Sequence, residues 1–167
     1  MALTDDPPVT VRRAGIDDAA ALARLRWLWR TVERAEYGLS APEFETAFRA
    51  WWRSHQDSHI AFIAQSEGET VGMAWLAVFE RIPQPRDFRR LAGNVQSVFV
   101  LDEYRNRGIG NALVDSVIAE ARERHVGYLI VHPSRRAYPL YERLGFSPTT
   151  RLLHMELDSP VVIASPE

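Results

Sequence analysis

Cysteine is absent from this chain, and so is lysine: all 20 basic residues are arginine. Without a thiol there is no disulfide, no thiolate nucleophile and no cysteine-ligated metal. Without a lysine, the phosphate loop of a nucleoside triphosphatase, which requires one directly after its second glycine, is excluded. The chain also lacks a long apolar run, and its opening residues Met1 to Pro8 are acidic and proline-bearing where a secretory leader is basic and then apolar. A cytoplasmic protein with no membrane segment is therefore expected. Excess charge is missing too. A formal net charge of −2 and a sequence pI near 6.2 argue against broad binding to nucleic acid or anionic membrane. Local arginine clusters can still hold small anions. The length of 167 residues predicts a single domain over 1–167, with 1–8 and 158–167 as loose termini.

What the chain does have is Arg105-Asn106-Arg107-Gly108-Ile109-Gly110, two cations and two glycines between an apolar strand and an amphipathic helix. The strand is predicted over Val95 to Leu101. The helix starts near Gly108 and repeats apolar residues at Ile109, Ala112, Leu113, Val117 and Ala121, the spacing of a buried helical stripe. Glycines let the backbone approach a ligand, and the free N–H groups of a helix start attract an anion. The stretch reads as a diphosphate cradle, with an ordinary glycine-rich turn as the bland alternative. A dinucleotide fingerprint would need Gly or Ala where Leu113 stands, and would sit nearer the N-terminus.

A second segment follows about thirty residues on. Tyr128 to His132 reads as a short buried strand, and Ser134 to Phe146 carries Ala137, Leu140 and Tyr141 on a helix that runs out at Gly145-Phe146. Gly145 stands where a helix C-terminus needs a left-handed residue, and Phe146 begins the next segment with a buried ring. Together the Arg-x-x-Gly-x-Gly loop and the Ala-x-x-Leu-Tyr…Gly-Phe ending resemble the GNAT superfamily of acyl-CoA-dependent N-acetyltransferases. The resemblance covers nearly the whole chain in element order, but its specific motifs lie in the C-terminal half. It implies an α/β (α+β) fold: a mixed, largely antiparallel central sheet of six to seven strands flanked by about four helices, split around the pyrophosphate loop.

The same resemblance implies acetyl-CoA as co-substrate and no metal. Main-chain groups of Val98, Phe99 and Val100 would pair with the pantetheine arm. The loop amides of Arg105, Asn106, Arg107, Gly108, Ile109, Gly110 and Asn111 would hold the pyrophosphate. Tyr141 takes the family position of the proton donor to the coenzyme sulfur, with Tyr138 one turn earlier as its rival. Ser134 stands where many relatives carry an Asn that contacts the coenzyme, and its shorter side chain puts that contact in doubt. The implied activity is transfer of an acetyl group to a primary amine of a small molecule, by direct attack within a ternary complex. Acetylation of a protein N-terminus or lysine, and a non-catalytic acyl-CoA-binding module, stay open, as does a homodimer.

No general base is legible. The strand before the loop offers Asn94, Gln96 and Ser97, none of them a base, which leaves a water chain to Glu80, Glu33 or Glu36. Elsewhere the spacing predicts a first strand over 9–14, a helix from Asp17-Asp18 to about Glu33 with Leu22, Leu25, Leu28 or Trp29, and Val32 inward, and a capped helix from Ser40 bearing Phe44, Ala47, Phe48, Trp51 and Trp52. A hairpin joins His59–Ala64 to Thr70–Glu80. Residues 81–90, with two prolines and four arginines, read as a long surface loop, or as a lid with Arg86, Arg89 or Arg90 meeting an anionic acceptor. Residues 146–157 should give the last strands. The tryptophans read as core or pocket wall. His55 and His59, four apart across a helix end, do not read as a metal site, and His125, His132 and His154 show no ligand spacing.

Overall fold

A computed structural model describes residues 7–31 and 38–157. Strand β1 (Val9–Arg13) leads through a 3-10 turn at Ile16–Asp18 into helix α1 (Ala19–Thr31), and helix α2 (Ala41–Arg53) follows. Next come strands β2 (His59–Ser66), β3 (Glu69–Arg81) and β4 (Arg90–Val100), helix α3 (Ile109–Glu123), strand β5 (Val126–Val131) and the short helix α4 (Tyr138–Arg143). The five strands form one sheet in the order β1-β2-β3-β4-β5. All neighbours are antiparallel except β4 and β5, which are parallel. A parallel pair cannot be joined by a tight turn, and α3 makes the crossover. Among the described residues no helix is long and apolar enough to cross a membrane.

Local chemistry sets each element. Arg12 reaches both carboxylate oxygens of Asp18 at 2.8 Å, and Asp18 also accepts from the Gly15 N–H, which fixes the turn into α1. These bonds, led by the one from Arg12, hold the Asp18 carboxyl below its ordinary range. In α1 the inward residues are Leu22, Leu25 and Trp29, while Leu28 faces out. Val32 and Glu33, the expected end of this helix, lie outside the described residues. Helix α2 opens where Glu43 accepts from both the N–H and the hydroxyl of Ser40. The β2–β3 turn puts Glu67 and Gly68 at φ 50° and 84°, the pair of left-handed residues that a two-residue hairpin favours.

The sheet separates two cores. On one face Ile60, Phe62, Leu76 and Val95 pack against Ile109, Leu113, Val114 and Val117 of α3, with Tyr141 of α4 closing that side. On the other, Ala61, Ile63, Met73 and Trp75 pack against Leu22 and Leu25 of α1 and against Phe48 and Trp52 of α2. Trp51 stays at the rim, 40% exposed.

One expectation holds and one is corrected. Residues 82–89 form an exposed surface connection between β3 and β4, closed by a turn of its own: Arg81 pairs with Arg90, and Gln84 and Asp87 exchange backbone bonds of 2.9 and 3.0 Å around Pro85. Proline there presets the φ that the turn needs. Residues 146–157 hold no strand, so five strands are described rather than six or seven. Pro148 removes a ladder donor, and no described strand faces the segment to satisfy its backbone. Leu153, Met155 and Leu157 are left 95%, 78% and 77% exposed.

Gly93 tests the packing where β3, β4 and β5 meet. A Cβ there would lie 2.7 Å from Leu129 and 2.9 Å from Leu76, whereas one at Gly15 would meet nothing within 4 Å. Gly93→Ala is expected to lower stability in urea by about 1–3 kcal/mol through overpacking. Gly15→Ala should leave it within about 1 kcal/mol. Equal midpoints for the two variants would mean that β5 gives way at no cost.

Candidate functional site

The site is built where β4 and β5 part. Their last pair is Val95 with Val131, yet β4 continues against β3 as far as Val100. One extra residue enters β4 at this point: Gln96 pairs with Trp75 and Phe99 with Met73, and Ser97 takes up φ 52°. That is a β-bulge, which bends its strand and re-aims the groups beyond it. Arg26 of α1 donates to the Ser97 hydroxyl and lies over the ring of Trp29, 5.5 Å from its centroid. Past the bulge, Val98 and Val100 turn toward α3, and Phe99 turns to the other face, stacked on Trp29 at 6.2 Å. On their β5 side, the backbone groups of residues 98–100 border a gap.

At the far end of β4 the chain makes a 3-10 turn over Asp102–Tyr104 and then the glycine-bearing loop. Arg105 is committed to the loop itself: it binds Asp102 at 2.6 Å, donates to the Val100 carbonyl at 3.1 Å and covers the Phe99 ring. Arg107 lies over Tyr104. Asn106 and Gly108 both adopt positive φ, 63° and 77°. No side chain caps α3, so the first-turn N–H groups at Ile109, Gly110 and Asn111 point at the space in front of the loop. The two glycines do different work. Gly108 has nothing within 4 Å of a built Cβ, whereas a Cβ at Gly110 would come 3.1 Å from Leu140, so Gly110 lets α3 approach α4.

Helix α4 carries Tyr141 and ends in a Schellman motif. The Phe146 N–H donates to the Tyr141 carbonyl, the Gly145 N–H donates to that of Glu142, and Gly145 sits at φ 91°. The Tyr141 ring is 6% exposed and meets Phe146 edge-on at 5.4 Å. No described residue hydrogen-bonds its hydroxyl. Burial pushes the phenol up to about 12. Tyr138 is 40% exposed. Ser134 is occupied at the start of the same turn, where its hydroxyl and carbonyl accept from the Ala137 N–H at 3.3 and 3.0 Å.

The face of the sheet opposite α3 differs at this end. Strand alternation places Ala77, Phe79 and Arg81 of β3, Ala92, Asn94 and Gln96 of β4, and Tyr128 and Ile130 of β5 on it. The Arg81 guanidinium lies 5.1 Å from the centroid of Tyr128. Two buried polar atoms on this face, Trp75 Nε1 and Asn94 Oδ1, have no hydrogen-bond partner among the described residues. Glu80, considered as an end of a water chain, shares the side of Leu76 and Val78 and so faces the α3 layer, away from this surface. Glu33 and Glu36 lie outside the described residues. Arg90 is held to its hairpin by the Ile82 carbonyl at 3.0 Å, while Arg86 and Arg89 are exposed at the hairpin end. The bulge and the Arg26–Ser97 contact had no sequence signal, since they depend on residues 71 apart.

Tyr141 gives a pH test. Its proton is held more tightly in the folded chain than in the unfolded, where the ordinary value is 10.0, so the unfolded state loses it first as pH rises. The stabilisation is complete below about pH 10 and is lost as pH rises to about 12, a change on the order of 2 kcal/mol. Urea titrations of Tyr141→Phe across that window should show a flatter decline than the parent. An identical slope would assign the alkaline loss to other groups.

Comparison with known proteins agrees with this geometry. Residues 21–146 match the model of the acetyltransferase (GNAT) family. A Trypanosoma brucei glucosamine 6-phosphate N-acetyltransferase is 32% identical over 98 residues, 58% of this chain and 63% of that enzyme, so the match spans less than two thirds of its length. The uncharacterized N-acetyltransferase YhfO of Bacillus subtilis is 26% identical over 158 residues, 91% of this chain and 99% of its own. Among solved structures, a predicted acetyltransferase from Clostridium acetobutylicum with acetyl-CoA superposes with a TM-score of 0.73 at 18% identity, covering 89% of this chain and 96% of that one. The chain belongs to the acetyltransferase (GNAT) family and is an acetyltransferase.

Proposed function

We propose that the protein transfers an acetyl group from acetyl-CoA to the primary amine of a small molecule, by direct attack with both substrates bound. The observation that carries this reading is the gap beyond the Val95–Val131 pair, bordered by the backbone of residues 98–100 and ending at the uncapped start of α3. An extended pantetheine arm adds to an unpaired strand edge as a peptide does. The first-turn N–H groups of α3 and the open space at Gly108 would take the pyrophosphate. Arg105, already engaged by Asp102 and Val100, would keep the loop in shape rather than bind phosphate. Acetyl-CoA supplies the activated acyl group; the protein supplies position, a dry site and proton management.

Tyr141 would act on the sulfur as a hydrogen-bond donor. With the phenol near 12 and a thiol ordinarily near ~8.5, full proton transfer is uphill by about 5 kcal/mol. A hydrogen bond from a buried hydroxyl to a developing thiolate is favourable without that transfer. Tyr141→Phe should then lower kcat by about tenfold to a hundredfold and leave coenzyme A affinity within a few fold. Tyr138→Phe should be near normal, and the reverse pattern would transfer the role.

The acceptor would approach from the face opposite α3 and α4, because those helices close the other side. Arg81 and Arg90 are cross-strand partners toward its outer end, and Trp75 Nε1 and Asn94 Oδ1 lie closer to the gap. A small amine bearing an anionic group fits this arrangement, and the likeness to a glucosamine 6-phosphate N-acetyltransferase makes a phosphorylated amino sugar the first acceptor to try.

Two measurements test the reading. Coenzyme A at a hundredfold excess over its dissociation constant should stabilise the fold by about 2.7 kcal/mol, and Gly108→Asp should remove the effect. Thiol release should follow addition of glucosamine 6-phosphate or another anionic amine, with the acceptor KM raised in the Arg81→Gln, Arg90→Gln double variant and that for acetyl-CoA nearly unchanged. Release with peptides alone would favour a protein acceptor. Binding without release across small amines and peptides would mean a non-catalytic acyl-CoA-binding module.

A further inference from the structure

Acetyl transfer needs a group that takes a proton from the attacking nitrogen, and Glu80, the considered carboxylate that lies among the described residues, is not placed to do so. Strand β4 presents Asn94 and Gln96 to the acceptor face, and Glu80 lies on the opposite face. We propose that His132 is that general base; the inference rests on the acetyltransfer reading above. Val131 is the last residue of β5 to pair with β4, and its side chain packs toward α3. The next residue in the alternation points to the acceptor face. His132 therefore stands at the mouth of the gap, across from Gln96 and the Ser97 bulge, where the thioester carbonyl would lie if the pantetheine arm runs along 98–100.

The ring is exposed, and it lies beside a second imidazole: His154 is 5.4 Å away between ring centroids. The charged and titratable groups on the same face are Tyr128, Arg81 above it, Arg90 farther out on the hairpin, and Arg26 at the bulge. The histidines of the α2–β2 turn and of β2 are not substitutes. His59 pairs with Ala77 on β2, three strand spacings from β5, or about 14 Å. Imidazole is suited to this task because it changes protonation near neutral pH, where a base works best.

In the step itself the amine nitrogen forms a bond to the acetyl carbon and the carbon–sulfur bond breaks. Positive charge gathers on nitrogen as its bond forms, which makes its N–H acidic enough for an imidazole to accept. The proton passes to His132 and then to His154 or water. The sulfur leaves with its electron pair, held by the Tyr141 hydroxyl, and is protonated from solvent. An amide and a thiol result, with no net proton consumed from a neutral amine.

The experiment compares the parent protein with His132→Gln, His132→Ala and His154→Gln, following thiol release from acetyl-CoA with glucosamine 6-phosphate and a panel of other small amines between pH 6 and 9.5. Coenzyme A binding is measured alongside. Expected are unchanged coenzyme A affinity in all variants, a fall in kcat of about a hundredfold or more in both His132 variants, loss of the acid limb of the pH–rate profile, and partial rescue of His132→Ala by added imidazole. His154→Gln should change kcat by less than tenfold. A His132→Gln variant that keeps both its rate within threefold and the acid limb overturns the proposal, as does a loss confined to His154→Gln. If the parent protein binds coenzyme A but releases no thiol with any amine, the acetyltransfer reading fails and this inference with it. Failure of His132 alone shows only as an active parent with an equally active variant.

Discussion

Parallel pairing between β4 and β5 stops at Val95 and Val131, and the rest of the site depends on that stop. A parallel connection needs a crossover helix, and the crossover must begin at the end of the strand that it leaves. Helix α3 therefore starts beside the gap by topology alone, and its positive end faces the mouth of the opening. The bulge at Ser97 widens the divergence, because an extra residue bends β4 while β3 stays in register behind it. A cleft made by withholding backbone hydrogen bonds leaves polar groups that a ligand must satisfy, which favours an extended amide-bearing guest over an apolar one.

The two faces of the sheet are then unequal. On the α3 side, α3 and α4 pack over the sheet, and burial among apolar contacts holds the Tyr141 phenol well above its ordinary value. On the other side α1 and α2 cover the sheet over Ala61, Ile63, Met73, Trp75 and Phe99, leaving Phe79 and Tyr128 about half exposed beyond them. One side thus suits the departing sulfur, which needs a dry donor, and the other suits an amine arriving from water.

The loop and the α4 ending were legible in the sequence because each is a local device. A left-handed glycine at 108, a left-handed glycine at 145 and the stripe from Ile109 to Ala121, with Val114 inward and Ala112 exposed, follow from neighbours within a turn or two. The same holds for the Ser40 cap and the turn at Glu67-Gly68. What was not legible depends on distant pairing. The Ser97 bulge, the contact from Arg26, the burial of Trp75 Nε1 and the direction of Glu80 are all set by which strand lies alongside, and no local pattern encodes that. The prolines at 83 and 85 read as breakers, and they stand where the ladder has ended, in a connection past the sheet with no further strand to miss their N–H groups. The strands expected over 146–157 do not form, because no described strand lies alongside to pair with them.

Gly110 is the point where the uncapped start of α3 and the tyrosine-bearing helix share one contact, its missing side chain leaving room for Leu140, the residue next to Tyr141. The two halves of the proposed coenzyme site are thereby tied through one set of packed atoms. A side chain introduced at 110 would press on the end of Leu140, which would have to give by a few tenths of an ångström. In a scan of substitutions, position 110 would score as a recognition residue and as a turnover residue at once, a double signature arising from geometry rather than from two chemical duties.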